Sequence, residues 1–168
     1  MSSSAEKIDD YFVRYLTYFN YRNYVSRMNL QGNEKVLEVG CGGGNLSRFL
    51  AEKLPCGELV CVDNSDYWIE KAKRRLKKFK KVEFILGDIL DFKKENYFNV
   101  IVIHYVLHDI PREKRRELTE ILDGSLKKKS NIYIREPTRK SHGMPSEEIR
   151  NLMLKDGFLE KESKEGYS

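Results

Sequence analysis

The sequence predicts a doubly wound α/β fold, a mostly parallel sheet held between two layers of helices. Three observations point there. Short apolar runs rich in Val and Ile recur along the chain and alternate with segments of helical spacing. A glycine-rich turn follows the first of those runs directly, and polar or charged residues stand where each later run stops. Buried parallel strands read as continuous apolar stretches, and ligand-binding groups in such sheets gather beyond the carboxyl ends of the strands.

Taken in order, the polar start MSSSAEK is expected to fray. From Ile8 to about Met28, Ile8, Tyr11, Phe12, Tyr15 and Phe19 recur at spacings of three and four, which predicts an amphipathic helix. Tyr18, Tyr21 and Tyr24 continue on its other faces, so the helix either caps a pocket or packs on the core with tyrosine rims. Val36, Leu37 and Val39 form the first strand, and Gly40, Gly42, Gly43 and Gly44 make the turn. Asn45 reads as the N-cap of a helix carrying Leu46, Phe49 and Leu50, which Pro55 and Gly57 stop. Leu59–Val62 is the second strand and ends in Asp63. In KAKRRLKKFKK, Lys71 to Lys81, the apolar Ala72, Leu76 and Phe79 keep helical spacing, so the basic residues form a solvated outer face. Val82–Leu86 and Tyr97–Ile103 are the third and fourth strands. Pro111 opens a helix with Leu118, Ile121 and Leu122 inside and Gly124 at a kink or stop. Asn131–Ile134 is the fifth strand, and SEEIRNLMLKDG is a last helix ended by Gly157.

With 168 residues the chain is expected to form one domain, residues 1–30 a cap helix and 31–168 the core. A composition of 40% hydrophobic and 34% charged residues is that of a soluble globular protein. No run of 18 or more apolar residues and no leader pattern occurs, which predicts a cytoplasmic protein without a membrane partner. Cys41, Cys56 and Cys61 form no C-x-x-C pair and fit reduced thiols. Lys71–Lys81 supplies much of the net charge of +5 without stacking aromatics interleaved on its exposed face, which argues against a nucleic-acid partner.

The fine spacing of Lys35 to Ser47, KVLEVGCGGGNLS, carries the chemistry. A dinucleotide fingerprint needs glycine at its first, third and sixth positions; counted from Gly40 the sixth is Asn45, and an acid, Glu38, stands two residues ahead. The spacing therefore argues against a nicotinamide oxidoreductase. The pattern E-x-G-x-G-x-G resembles motif I of the class I, Rossmann-like, S-adenosylmethionine-dependent methyltransferases of small-molecule type. That resemblance implies that Gly40, Cys41, Gly42 and Gly44 cradle the methionine part of S-adenosyl-L-methionine, with Glu38 near its ammonium and S-adenosyl-L-homocysteine as product. Asp63, about twenty residues past the glycines, is placed to accept the hydroxyls of a ribose. Its context VCVDNSDYWIEKAK resembles motif II, which puts Asn64 beside the adenine and leaves Trp68 either as an apolar contact or as core. Gly87, Asp88 and Ile89 resemble motif III and imply the adenine site.

HYVLHDIP resembles motif IV and its sequel. It implies that His104 lies near the sulfonium and that Tyr105 faces the acceptor, joined by Tyr11 and Tyr15 from the cap helix. N-P-P-Y and D-P-P-Y, signatures of methylation on base or amide nitrogens, are absent. His104 and His108 with Asp109 admit three readings: a metal site lacking its wider ligand set, structural histidines, or catalysis. The string LHD resembles the V-L-H-D-W of plant-type O-methyltransferases and implies that His108 deprotonates a hydroxyl acceptor. No metal is expected. Glu136 and Arg139, after the fifth strand, are expected to form surface salt bridges. GFLEKESKEGYS resembles the start of a sixth strand, giving an order 3-2-1-4-5 and then 6 with no residues for the family's last strand, whether as a natural short form or through an early end. The expected function is methyl transfer to a small-molecule acceptor by in-line displacement, in a monomer or homodimer. The alternatives are a cofactor-binding module acting through a protein partner, and a methyltransferase acting on protein or RNA.

Overall fold

A computed structural model describes residues 18–138 and 143–164. Five strands, β1 (Lys35–Val39), β2 (Glu58–Asp63), β3 (Val82–Leu86), β4 (Phe98–His104) and β5 (Leu126–Arg135), form one sheet in the order β3-β2-β1-β4-β5. Every pairing is parallel. The helices are α1 (residues 18–27), α2 (Asn45–Lys53), α3 (Asp66–Leu76), α4 (Arg115–Ser125) and α5 (Ser146–Lys155). The expected strand order is thus observed.

Side chains on neighbouring residues of a strand point to opposite faces, so each central strand feeds two cores. Val36 joins Leu50, Leu59, Cys61, Ala72, Val100 and Val102 on one face, beneath Val25, Met28 and the helices α2 and α3. Leu37 and Val39 join Val60, Val62, Ile101, Ile103, Leu118 and Leu122 on the other, beneath α4. Fully burying such a side chain contributes about 1.5–3 kcal/mol. The continuous run Val100–Ile103 is read from both sides at once.

Val39 pairs with Val62 on one side and Ile103 on the other, so β1, β2 and β4 stop at a common level. The chain winds from β1 outward through β2 to β3, then returns to lay β4 against the free side of β1. The crevice beyond the carboxyl ends of β1 and β4 is therefore the topological switch point, where ligands bind in open α/β sheets.

Four local expectations are corrected. Gly44, not Asn45, caps α2. The helix after Pro111 becomes α-helical only at Arg115, after a 3₁₀ turn over Arg112–Lys114. β5 starts at Leu126, five residues early, because an edge strand tolerates its exposed lysines; a register shift between Phe98 and Val100 and a positive φ of 62° at Lys129 absorb the irregularity. Residues 158–164 form no strand. Leu159 there is 83% exposed and Glu160 pairs with Arg150, so the segment has no apolar face to bury in a sheet. In α3, Ile69, Ala72 and Leu76 are buried while Lys73, Arg74, Lys77 and Lys78 face outward, as the spacing predicts.

Candidate functional site

Beyond Val39 the chain folds across the end of β2. The N–H groups of Gly40 and Cys41 both donate to the Val62 carbonyl, at 2.9 and 3.1 Å, and Gly44 N–H closes the turn on the Cys41 carbonyl at 3.0 Å. At Gly44 (φ 75°) any other residue would place its Cβ 2.5 Å from Leu76 Cδ1 and 3.2 Å from the Ala72 backbone, so this glycine lets α2 and α3 meet. Gly42 (φ 49°) has open space where a Cβ would stand, and its backbone faces the crevice. Asn45 instead accepts a hydrogen bond from Arg75, which also donates to the Gly43 carbonyl at 2.5 Å. The turn rims a cavity of about 260 Å³ that Glu38, Trp68, Tyr21, His104 and Tyr105 complete.

Glu38 is 2% exposed and lies beneath this turn. Cys61 Sγ donates to its Oε2 at 3.7 Å, and no Lys or Arg pairs with it among the described residues. Burial pushes its carboxyl up to about 7, opposed in part by the Ser47 hydroxyl and the Cys61 thiol and assisted by the charge of Asp63. A buried acid without a cation is costly, and an ammonium placed against it would relieve that cost.

Asp63, at the end of β2, accepts from Gly42 N–H on Oδ2 at 2.7 Å and from Ser65 N–H on Oδ1 at 3.0 Å. It thereby ties the glycine turn to the second strand. A carboxylate offers about four acceptor positions, so about two remain for a ligand diol. Asn64 is exposed and does not line the cavity. Gly87 donates to the Asp63 carbonyl at 3.0 Å, Asp88 caps a short turn by accepting from Leu90 N–H at 3.0 Å, and Ile89 is buried. Gly87 and Asp88 line a second hollow of about 280 Å³ past β3. Trp68, 41% exposed, belongs to the first cavity and not to the core.

Tyr11 and Tyr15 lie outside the described residues. Among the described residues of this helix, Tyr21 is the tyrosine that lines the cavity. His104 ends β4 among the rings of Tyr105, Tyr21 and Tyr24, at centroid distances of 4.2, 5.2 and 5.7 Å. Burial, with the nearby Arg135 charge, lowers its imidazole to about 4, so the ring is neutral near pH 7. Tyr105, 40% exposed, holds φ at 59°, a conformation that bulky residues rarely adopt outside constrained sites.

Past Tyr105 the chain is pinned by one carboxylate. Glu136 Oε1 accepts from the N–H groups of Val106 and Leu107, each at 2.7 Å, and its Oε2 lies 2.6 Å from His108 Nδ1. Its side chain is fully buried, which corrects the expectation of a surface salt bridge. Arg139 lies outside the described residues. His108 is 14% exposed, its Nε2 stands 3.6 Å from Asp109 Oδ1, and it does not line the cavity. No cluster of three metal-ligating side chains occurs among the described residues. The one sequence signal for Glu136 was its position, just past the end of β5 as Asp63 closes β2; its burial and its partners were not legible.

Comparison with known proteins fits this geometry. A family described as "Methyltransferase domain" matches residues 30–161. The chain is 38% identical over 87 residues to a sterol 24-C-methyltransferase of Candida albicans, covering 49% of this chain and 23% of the relative. It is 29% identical over 119 residues to a trans-aconitate 2-methyltransferase of Mycobacterium tuberculosis, covering 66% of this chain and 44% of the relative. The chain thus spans less than half the length of these curated relatives. A crystal structure of a SAM-dependent methyltransferase from Aquifex aeolicus superposes with a TM-score of 0.72 at 19% identity, covering 84% of this chain and 81% of that one, and shares the fold. With most of its length matched and its glycine turn, buried acid and sheet order accounted for, the chain belongs to the methyltransferase domain family.

Proposed function

We propose that the protein transfers a methyl group from S-adenosyl-L-methionine to a small-molecule acceptor. The observation that carries the reading is the buried Glu38, without a cation partner among the described residues, beneath a glycine turn whose Gly42 N–H is held by Asp63. These groups fit the cofactor: an acid for an ammonium, spare carboxylate positions for a diol, and an open backbone at Gly42. When bound, the cofactor supplies a methyl group already activated by a sulfonium. Gly40, Cys41, Gly42, Gly44 and Glu38 would hold its amino-acid part, Asp63 its ribose, Asn64, Gly87, Asp88 and Ile89 its base, with His104 beside the reacting end.

The chain's own contribution is then alignment, which can supply on the order of 7–11 kcal/mol. The resemblance to plant-type O-methyltransferases makes His108, which Glu136 holds through Nδ1, the candidate base for a hydroxyl acceptor, although its ring does not line the cavity. Such a base adds roughly 10²–10⁴-fold. The sterol and trans-aconitate relatives support a metabolite as acceptor rather than nucleic acid. The reading takes residues 1–168 as one domain, with 1–30 capping the core, acting in the cytoplasm as a monomer or homodimer; no helix among the described residues is long and apolar enough to cross a membrane. Incubation with cofactor and a panel of hydroxy acids, amines and unsaturated acids should yield S-adenosylhomocysteine above the acceptor-free rate. Cofactor binding without acceptor-dependent turnover across that panel would count against the reading.

A further inference from the structure

Beside the cofactor crevice, α1 and the ends of β4 and β5 bring together polar groups that the fold leaves unused. Tyr24 Oη and His104 Nε2 are both buried and have no hydrogen-bond partner among the described residues. Leaving such a group buried and unsatisfied is costly. Arg135 pairs in register with His104 at the strand ends, and its guanidinium lies 5.4 Å from the Tyr24 ring and 5.7 Å from the Tyr105 ring. It makes no ion pair among the described residues, although Glu136 is its neighbour in sequence, because Glu136 spends both oxygens on Val106, Leu107 and His108. A half-buried guanidinium held only by ring contacts among the described residues thus stands beside a buried phenol and an imidazole nitrogen that have no hydrogen-bond partner there.

We propose that Arg135 and Tyr24 bind a carboxylate of the methyl acceptor, with the acceptor's flat body against Tyr21 and Tyr105 and a hydroxyl or amine on that body, where it carries one, donating to His104 Nε2. The proposal rests on the methyltransferase reading and names the acceptor class. A single guanidinium with a phenol donor matches the single charge of a carboxylate. A phosphate monoester dianion would call for a second cation, while the acids near Tyr24, Glu136 and Glu38, oppose added negative charge.

The test uses the full chain saturated with S-adenosylhomocysteine and ligand-observed NMR. The probes are 4-hydroxybenzoate and phenylacetate, each with its primary amide, and phenyl phosphate. At least one carboxylate should bind tenfold or more tightly than its amide and than phenyl phosphate. That preference should vanish in Arg135→Met and weaken in Tyr24→Phe, which deletes one hydroxyl and keeps the packing. S-adenosylhomocysteine affinity should stay unchanged in both. Equal binding of acids and amides, preference for phenyl phosphate, or a preference retained in Arg135→Met would overturn the proposal. Should Arg135→Met fail to fold, Tyr24→Phe and Arg135→Lys carry the test, and undiminished preference in both overturns it equally. If S-adenosylhomocysteine itself does not bind, the methyltransferase reading falls first.

Discussion

Glu38→Gln separates stability from ligand binding at one buried atom. In the folded chain the Glu38 carboxyl is raised from its ordinary 4.5 to about 7 by burial. Below about pH 4.5 the acid is protonated in both states and folding carries no penalty. Between 4.5 and 7 the unfolded chain ionises while the folded one still holds its proton, so stability falls as pH rises; above 7 the loss is complete. At ~1.36 kcal/mol per pH unit the shift is worth about 3 kcal/mol. For a domain of this size that corresponds to roughly 6–12 °C in melting temperature. Thermal melts of the wild type between pH 4.5 and 8 should fall by about that much relative to Glu38→Gln, in which other titrating groups cancel. The variant should also bind S-adenosylhomocysteine roughly 10–150-fold more weakly at pH 8, the loss of one charge-assisted hydrogen bond. Wild-type calorimetry near pH 7 should show proton release on binding, read from the buffer dependence of the enthalpy. Parallel melting curves for the two proteins would refute the burial argument.

Other perturbations address the remaining parts of the site. Asp63→Ala frees Gly42 N–H and removes the proposed ribose acceptor, so S-adenosylhomocysteine affinity should drop by roughly 10–150-fold in a calorimetric titration while the fold persists. His108→Ala should leave that affinity intact and lower turnover by about 10²–10⁴-fold; unchanged turnover would remove the base assignment. Glu136→Gln puts an amide where two backbone N–H groups and an imidazole need an acceptor, so it should reduce turnover and also lower stability by about 1.5–3 kcal/mol in urea unfolding. Gly44→Ala combines a left-handed backbone cost of about 1–2 kcal/mol with a clash on Leu76, and its melting temperature should fall well beyond that of an exposed Gly124→Ala control.

Much of this architecture could be read from the chain because the signals were local. The runs at 36–39, apolar but for Glu38, and at 59–62 and 100–103 are buried on both faces, so they carry no alternation to misread, and the glycines fix the turn whatever surrounds them. Asp63 and Glu38 were legible because their distance from those glycines determines where they stand. What escaped depends on contacts distant in sequence. LKKKS resembles a loop and becomes strand only because Phe98 and Val100 offer it an edge. Glu136 looked like a surface acid, and only the return of residues 106–108 over the end of β5 buries it. Asn45 has the chemistry of a cap, but Arg75, thirty residues on, claims its side chain. His108 carried a motif that suggested the cavity, whereas its ring is turned to Glu136 behind it.

The central claim is that one nucleoside-bearing sulfonium lies across the ends of β1, β2 and β3. A crystal structure of the protein with S-adenosylhomocysteine tests it most directly. The ligand's ammonium should stand near Glu38, its ribose hydroxyls within hydrogen-bond reach of Asp63, and its base by Asp88. A ligand bound away from the Gly40–Gly44 turn would contradict the account.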